Sequence, residues 1–192
     1  MPLDAMSDMS DEALLVLFAN GDRLAAQALT LRLTPRLLNH AYRLLGNAAE
    51  AEDVAQEAML RLWKIAPNWR QGEAMVTTWL YRVVANLCID RRRQARPSAL
   101  DAAAEPVDPA KGAVALLQGA ERAKALQEAL DRLPDRQRQA IVLRHIEDLG
   151  NPQIAEIMEI SVEAVESLLA RGKRALSADL IDRREELGFT DE

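Results

Sequence analysis

A chain of 192 residues is long enough for one large domain or two small ones. With 49% hydrophobic and 28% charged residues it reads as globular, and a net charge of −6 excludes a protein that coats DNA by bulk charge while leaving room for a basic protein partner. The apolar runs fall far short of the ~20 residues a membrane helix needs, the opening MPLDAMSDMSDEALL has no basic n-region, and the single Cys88 excludes an internal disulfide, so the expectation is a cytosolic protein without membrane insertion.

Ala, Leu, Glu and Arg dominate and Gly and Pro are sparse, so helix is expected throughout. Ser10 before DEALLVLF is an N-cap signal for a helix from about Asp11 to Ala19, stopped by Asn20-Gly21. Asp22 caps a second helix carrying Leu24, Ala28, Leu31, Leu38, Ala41, Tyr42 and Leu45 at helical spacing. Pro35 inside it predicts a kink or brief break. After Gly46-Asn47 a third helix, about Ala49 to Ile65, buries Val54, Ala58, Leu62 and Ile65. Pro67 to Ala74 is irregular, with Pro67, Asn68 and Gly72 as turn residues.

The fourth helix begins near Met75. Val76, Trp79, Leu80, Val83, Val84, Leu87 and Cys88 make its apolar face. Thr78, Arg82, Asn86, Asp90 and Arg93 form the polar stripe opposite, and Arg91-Arg92-Arg93 ends it where cations suit the dipole. Trp63, Trp69, Trp79 and Tyr81, interleaved with arginine, suit single-stranded nucleic acid, because rings stack on bases and guanidinium groups take phosphates. Trp79 lies in the apolar stripe and reads as core.

From Ala95 to about Gly112, Pro97, Pro106 and Pro109 interrupt an Ala/Asp/Glu-rich segment with no apolar period, the signature of a linker. Beyond it a helix runs to about Arg132, and Pro134 opens the next, which Gly150 stops. Asn151 caps a short helix. A turn at Glu159-Ile160 leads to Ser161, the N-cap of a long final helix. Short helix, tight turn and capped second helix form a helix-turn-helix pattern, whose second helix enters the major groove by its N-terminal residues. His40 and His145 lack ligand spacing and read as ordinary helical positions, and Cys88 reads as buried and inert. No metal cluster, phosphate loop or nucleophile-base arrangement is visible, so neither a cofactor nor catalysis is expected.

The runs AEDVAQEAMLRLWKIA, WRQGEAMVTTWLYRVVANLCIDRRRQ and LDRLPDRQRQAIVLRHIEDLGNPQIAEIMEISVEAVESLLARGKRAL resemble, in order, three segments of extracytoplasmic-function sigma factors. These are the polymerase-binding helix, the promoter-melting and minus-ten segment, and the minus-thirty-five domain. LLVLFANGDRLAAQALTLRLTPRLLNHAYRLLGN is similar to the family's opening helices.

The resemblance implies an all-α protein of two helical domains, 1–94 and 118–192, joined by a flexible linker at 95–117, the second containing the helix-turn-helix. It implies no enzyme but a subunit that directs core RNA polymerase to promoters in a stress response. Asp53, Gln56 and Glu57, flanked by Leu60, Arg61 and Trp63, are then expected to meet the clamp helices of the largest polymerase subunit; acceptors one turn apart suit such donors.

The minus-ten base pocket is expected at Asn68 to Ala74. Trp69, Arg70 and Tyr81 serve as stacking or edge contacts there, Arg82 and Asn86 meet bases or phosphates, and Arg91, Arg92 and Arg93 follow. In the second domain Ser161, Val162, Glu163, Ala164, Glu166 and Ser167 are expected to face base edges, and Arg171, Lys173 and Arg174 phosphates. The family commonly has lysine at Glu166 and arginine at Leu168; a carboxylate there repels phosphate but accepts from cytosine.

An anti-sigma factor, often zinc-binding in this family, is the further expected partner beside polymerase and promoter DNA. A dimeric helix-turn-helix regulator would explain only the second domain. A helical protein-binding adaptor would explain the acidic charge but not the capped recognition helix.

Overall fold

The computed structural model describes residues 6–70, 72, 75–95 and 113–181, with side-chain surroundings for all of these except 95 and 113–120. The expected segment from Pro97 to Gly112 lies outside the described residues. Those described are helical, without strands. The helices are α1 (Asp11–Ala19), α2 (Arg23–Leu45), α3 (Ala48–Ile65), α4 (Val76–Ala95), α5 (Ala113–Arg132), α6 (Asp135–His145), α7 (Asn151–Met158) and α8 (Val162–Ile181), with a 3-10 turn at Ala66–Asn68. None of the described helices is long and apolar enough to cross a membrane.

The helix starts follow local chemistry. Ser10 Oγ accepts from the Ala13 amide at 3.2 Å, Asp22 Oδ1 from Leu24 at 2.9 Å, Asn47 Oδ1 from Glu50 at 3.1 Å and Ser161 Oγ from Ala164 at 3.2 Å. Each satisfies an amide that the helix itself cannot, a contribution of about 1 kcal/mol. Two expectations differ. Helix α2 runs through Pro35 without a break. Pro35 is on the exposed side, so the carbonyl it leaves unbonded meets water, while Leu29, Leu33, Leu37, Ala41 and Leu44 on the other side are buried and hold the axis. Helix α6 ends at His145, not at Gly150, and Gly150 rather than Asn151 is the N-cap of α7, its amide donating to Gln153 Oε1 at 3.0 Å.

Helices α1 to α4 pack around the long α2, and α6 to α8 form a second group leaning on α5. Arg32 of α2 straps down the start of the chain, donating to the carbonyls of Met6, Ser7 and Met9 and to Asp11. The apolar cluster passes from one group into the other, because α4 packs on α7 and α2 on α5 and α6.

Helices α6 and α8 cross at Gly172, where an added Cβ would stand 2.7 Å from Ile141 Cγ1. Alanine there gains about 1 kcal/mol of helix propensity but overpacks the crossing, at a cost of about 1–3 kcal/mol. Gly172→Ala should therefore lower the midpoint of thermal unfolding, and a raised midpoint would mean that the crossing yields freely.

Candidate nucleic-acid interface

The capped start of α3 fixes which residues face outward. Asp53, Gln56, Leu60 and Arg61 are exposed and Glu57 half-buried, together on one face. Leu60 is 61% exposed, a large apolar side chain in water amid polar neighbours. Glu57 and Arg61 pair at 2.5 Å one turn apart, and Asp53 reaches Arg91 of α4 at 3.4 Å. Trp63 sits apart from that face, tilted against Phe18 of α1 with ring centroids 4.6 Å apart.

Beyond the 3-10 turn, Asn68 and Arg70 are exposed, and Gln71, Glu73 and Ala74 of the expected pocket lie outside the described residues. Trp69 meets Trp79 edge-on at 6.2 Å, and the buried indole N–H of Trp69 has no acceptor among the described residues. The sequence reading missed Glu12, whose Oε1 accepts from the Val76 amide at 3.0 Å and so caps α4 from sixty-four positions upstream. As a first-turn acid of α1 it needed no tertiary role, and nothing local signals one.

Helix α4 differs most from expectation. Asn86 and Arg93 are exposed, as is Asp90, but Thr78 and Tyr81 are buried, Tyr81 at 5% exposure. The cause is the second helical group. Tyr81 donates its hydroxyl to Glu147 Oε2 at 2.6 Å, and its ring lies 4.7 Å from that of His40, which is fully buried. His40 Nδ1 is 3.3 Å from Glu147 Oε1. Burial alone would raise the Glu147 carboxyl; His40, Tyr81 and Arg36 outweigh it and hold it below the usual range. Burial, then the bond to Glu147, pushes the Tyr81 phenol well above its usual value. In this conformation Tyr81 is not open to a base.

Its neighbours are engaged as well. Arg82 donates to the Glu156 carbonyl at 2.8 Å and pairs with Glu159 at 3.3 Å; Arg92 donates to the Leu44 carbonyl at 3.1 Å and pairs with Asp135 at 3.0 Å. Arg138 is 1% exposed, and its guanidinium serves the carbonyls of Leu130, Asp131 and Leu133 at the end of α5 and of Leu44 at the end of α2. His40, Glu147 and Arg138 therefore share the joint between the helix groups, although His40 reads from sequence as an ordinary helical position. Cys88 is on the buried side of α4, and burial pushes its thiol up to about 12, against the pull of Arg91 and Arg92.

The helix-turn-helix is present. Helix α7 ends at Glu159 in the left-handed region, φ 53°, and Ser161 caps α8. Ser161, Glu163, Glu166, Arg171, Lys173 and Arg174 are exposed on α8, and Val162, Ala164, Ser167 and Leu168 are half-buried, Leu168 against the core. Its own backbone amide, then the Ser161 hydroxyl, hold the Glu163 carboxyl below the usual range. Arg171 bonds Ser167 Oγ at 2.7 Å.

An Asn-capped helix with an acidic face and an exposed Leu, an aromatic-basic helix and a helix-turn-helix thus follow one another along the chain. The Sigma-70 region 2 model matches residues 29–97, and the Sigma-70 region 4 model residues 123–176. The ECF RNA polymerase sigma factor SigW of Bacillus subtilis is 36% identical over 156 residues, covering 73% of this chain and 81% of SigW. The RNA polymerase sigma-H factor of Pseudomonas aeruginosa is 30% identical over 186 residues, covering 91% and 96%. Among solved structures, CnrH in complex with the cytosolic domain of CnrY superposes with a TM-score of 0.67 at 25% identity, over 90% of this chain and 97% of CnrH. The sigma factor RpoE of Bartonella quintana, solved with the anti-sigma factor NepR, shares the fold at a TM-score of 0.64 and 21% identity, over 81% of this chain and 96% of RpoE. Matched in both regions, in order, and over most of the length of these relatives, the chain belongs to the extracytoplasmic-function family of RNA polymerase sigma factors.

Proposed function

We propose that this sigma factor holds core RNA polymerase through the α3 face of Asp53, Gln56, Glu57, Leu60 and Arg61, with Trp63 apart from it, supporting the helix against Phe18. The supporting observation is that face itself: acceptors one turn apart beside an exposed leucine, on a helix whose other side is core. In the minus-ten role, Trp69 and Arg70 line the base site, and Asn86, Arg82 and the Arg91-Arg92-Arg93 run follow the strand; unstacking a base costs a few kcal/mol, which a fitted pocket recovers. Tyr81 joins them once the second domain has left α4. The chain works in the cytoplasm, where polymerase is, as an initiation factor in a stress response.

Control by an anti-sigma factor completes the reading. The Bartonella quintana neighbour, which shares the fold, is solved with one. Run-off transcription tests the whole: core polymerase should initiate at a specific promoter only when the chain is added.

Glu166 provides a narrower test. It is exposed near the start of α8, and Arg171 bonds Ser167 instead. Glu166→Lys should steepen the salt dependence of binding by roughly 0.9 log units per log unit of salt for one new phosphate contact. It should also change base preference at one minus-thirty-five position, by about 1–3 kcal/mol. Titrations across promoter variants at several salt concentrations separate the two effects; neither appearing would move α8 away from DNA. Glu163→Lys should act differently, weakening the helix start, because that carboxylate is drawn to the backbone of its own turn.

A further inference from the structure

Trp69 is held from two directions. Its amide donates to the Ala66 carbonyl at 3.2 Å, which ties its backbone to the 3-10 turn, and its ring rests edge-on against Trp79, 6.2 Å away in the first turn of α4. Both supports lead to one helix. The 3-10 turn and the start of α4 each pack on α1, so α1 sets how far apart they stand. Helix α1 is itself fixed on its other sides. Arg32 of α2 holds Asp11 at 2.7 Å and the carbonyls of Met6, Ser7 and Met9, and Phe18 lies against Trp63 of α3 with ring centroids 4.6 Å apart.

The polar link from α1 to α4 is one bond. Val76 is the first residue of α4, and its amide is among those that a helix leaves unbonded. Met75, just before it, has no side-chain oxygen to serve as a cap, and its carbonyl already takes the Trp79 amide at 3.1 Å. Val76 is fully buried, so water is a poor substitute. Glu12 supplies the missing acceptor, its Oε1 taking the Val76 amide at 3.0 Å. The carboxylate thus lies in the first turn of α1 by sequence and at the start of α4 by fold, and negative charge suits both helix ends. A helix start that shifts carries Trp79 with it, and Trp69 leans on Trp79.

We propose that Glu12 is a positioning residue for promoter opening: by capping α4 from α1 it fixes Trp79, and through Trp79 the ring of Trp69, where an unstacked base must be met. This rests on the reading of Trp69 as part of the minus-ten base site. Glu12 touches no DNA itself. Its loss frees the first turn of α4, and the ordered population of that turn falls by about fivefold, the worth of a helix cap.

Reach separates this role from a merely structural one. Aspartate keeps the charge in the first turn of α1 but is one carbon short of Val76. Glutamine keeps the reach and an acceptor oxygen and gives up the charge. The full chain is made as Glu12→Asp, Glu12→Gln and Glu12→Ala. Hydrogen exchange of the Val76 amide is followed by NMR in the free chain. Permanganate reactivity of the minus-ten thymines is followed in the complex with core polymerase, on the duplex promoter at which run-off transcription starts.

The expected result is an order set by reach. Glu12→Gln protects the Val76 amide and opens the promoter as the parent does. Glu12→Asp and Glu12→Ala lose that protection and open it about fivefold less, while co-elution with core polymerase is unchanged. Should Glu12→Ala fail to fold, the contrast between Glu12→Gln and Glu12→Asp decides alone. Parental opening by Glu12→Asp beside a defect in Glu12→Gln would make Glu12 a charge of α1 and nothing more. Equal opening by all three, or a fall in polymerase binding that matches the fall in opening, would overturn the proposal as well. Trp69→Ala judges the reading beneath it. Parental opening by that variant sinks the base site at Trp69 whatever Glu12 does; a defect in Trp69→Ala beside unimpaired Glu12→Asp sinks the positioning role alone.

Discussion

Replacing Arg138 with alanine should destabilise the protein by about 3–5 kcal/mol, the largest effect expected of any single substitution here. The side chain is essentially out of water, and four carbonyl oxygens converge on its guanidinium, at 2.6 to 3.0 Å. Alanine would leave the Asp131 and Leu133 carbonyls without this donor, while Leu130 keeps the Leu133 amide and Leu44 keeps Arg92, and each orphaned buried acceptor costs about 1–3 kcal/mol before relaxation lets water in. Lysine cannot substitute, because a single ammonium lacks the planar fork that reaches both helix ends. The loss has two parts. The carbonyls of Leu130, Asp131 and Leu133 belong to the end of α5 and its turn into α6, so the second domain should lose its cooperative unfolding; the Leu44 carbonyl belongs to α2 and keeps only Arg92, so docking should weaken as well. Chemical denaturation of the variant checks the first, scattering the second. An unfolding free energy within about 1 kcal/mol of the parent would show that the carbonyls find water cheaply.

Asp53→Ala combined with Gln56→Ala should weaken binding to core polymerase by roughly tenfold to a hundredfold, the loss of one charge-assisted and one neutral hydrogen bond at the surface of a partner. Both side chains are exposed, so the fold should survive. The internal link given up is the Asp53–Arg91 pair at 3.4 Å, with Asp53 67% exposed; such surface pairs are worth about 0–1 kcal/mol. Glu57 is left intact because it already holds Arg61. Co-elution with core polymerase, beside a thermal melt, checks both halves. Equal affinity for mutant and parent at an unchanged melting point would move the polymerase site off α3.

What was legible in the chain is what is decided within a few residues. Ser10, Asp22 and Ser161 announced their helices because a cap bonds an amide two or three positions away. The α3 face followed from its spacing, and the helix-turn-helix from a capped helix after a tight turn. What remained hidden depends on partners far along the sequence. Thr78 and Tyr81 sit where an isolated amphipathic helix would show them to solvent, and they are buried because α7 lies across α4. Glu12 and His40 find their partners through the tertiary fold alone. Pro35 was over-read for a related reason: the rule that proline breaks a helix assumes the freed carbonyl has no alternative, and solvent supplies one.

The chain's three tryptophans are Trp63, Trp69 and Trp79. All lie between α3 and α4, so the second domain carries no indole at all, and intrinsic fluorescence of this protein is a private signal of the first. Trp69 and Trp79 emit from the rim of the expected base site, within 6.2 Å of each other, so quenching by a stacked base would be read there without any label. Circular dichroism, by contrast, counts both domains by their helix. Melting curves from the two methods will coincide only if the domains unfold as one cooperative unit, and any gap between them measures, in degrees, how independently the halves of this molecule live.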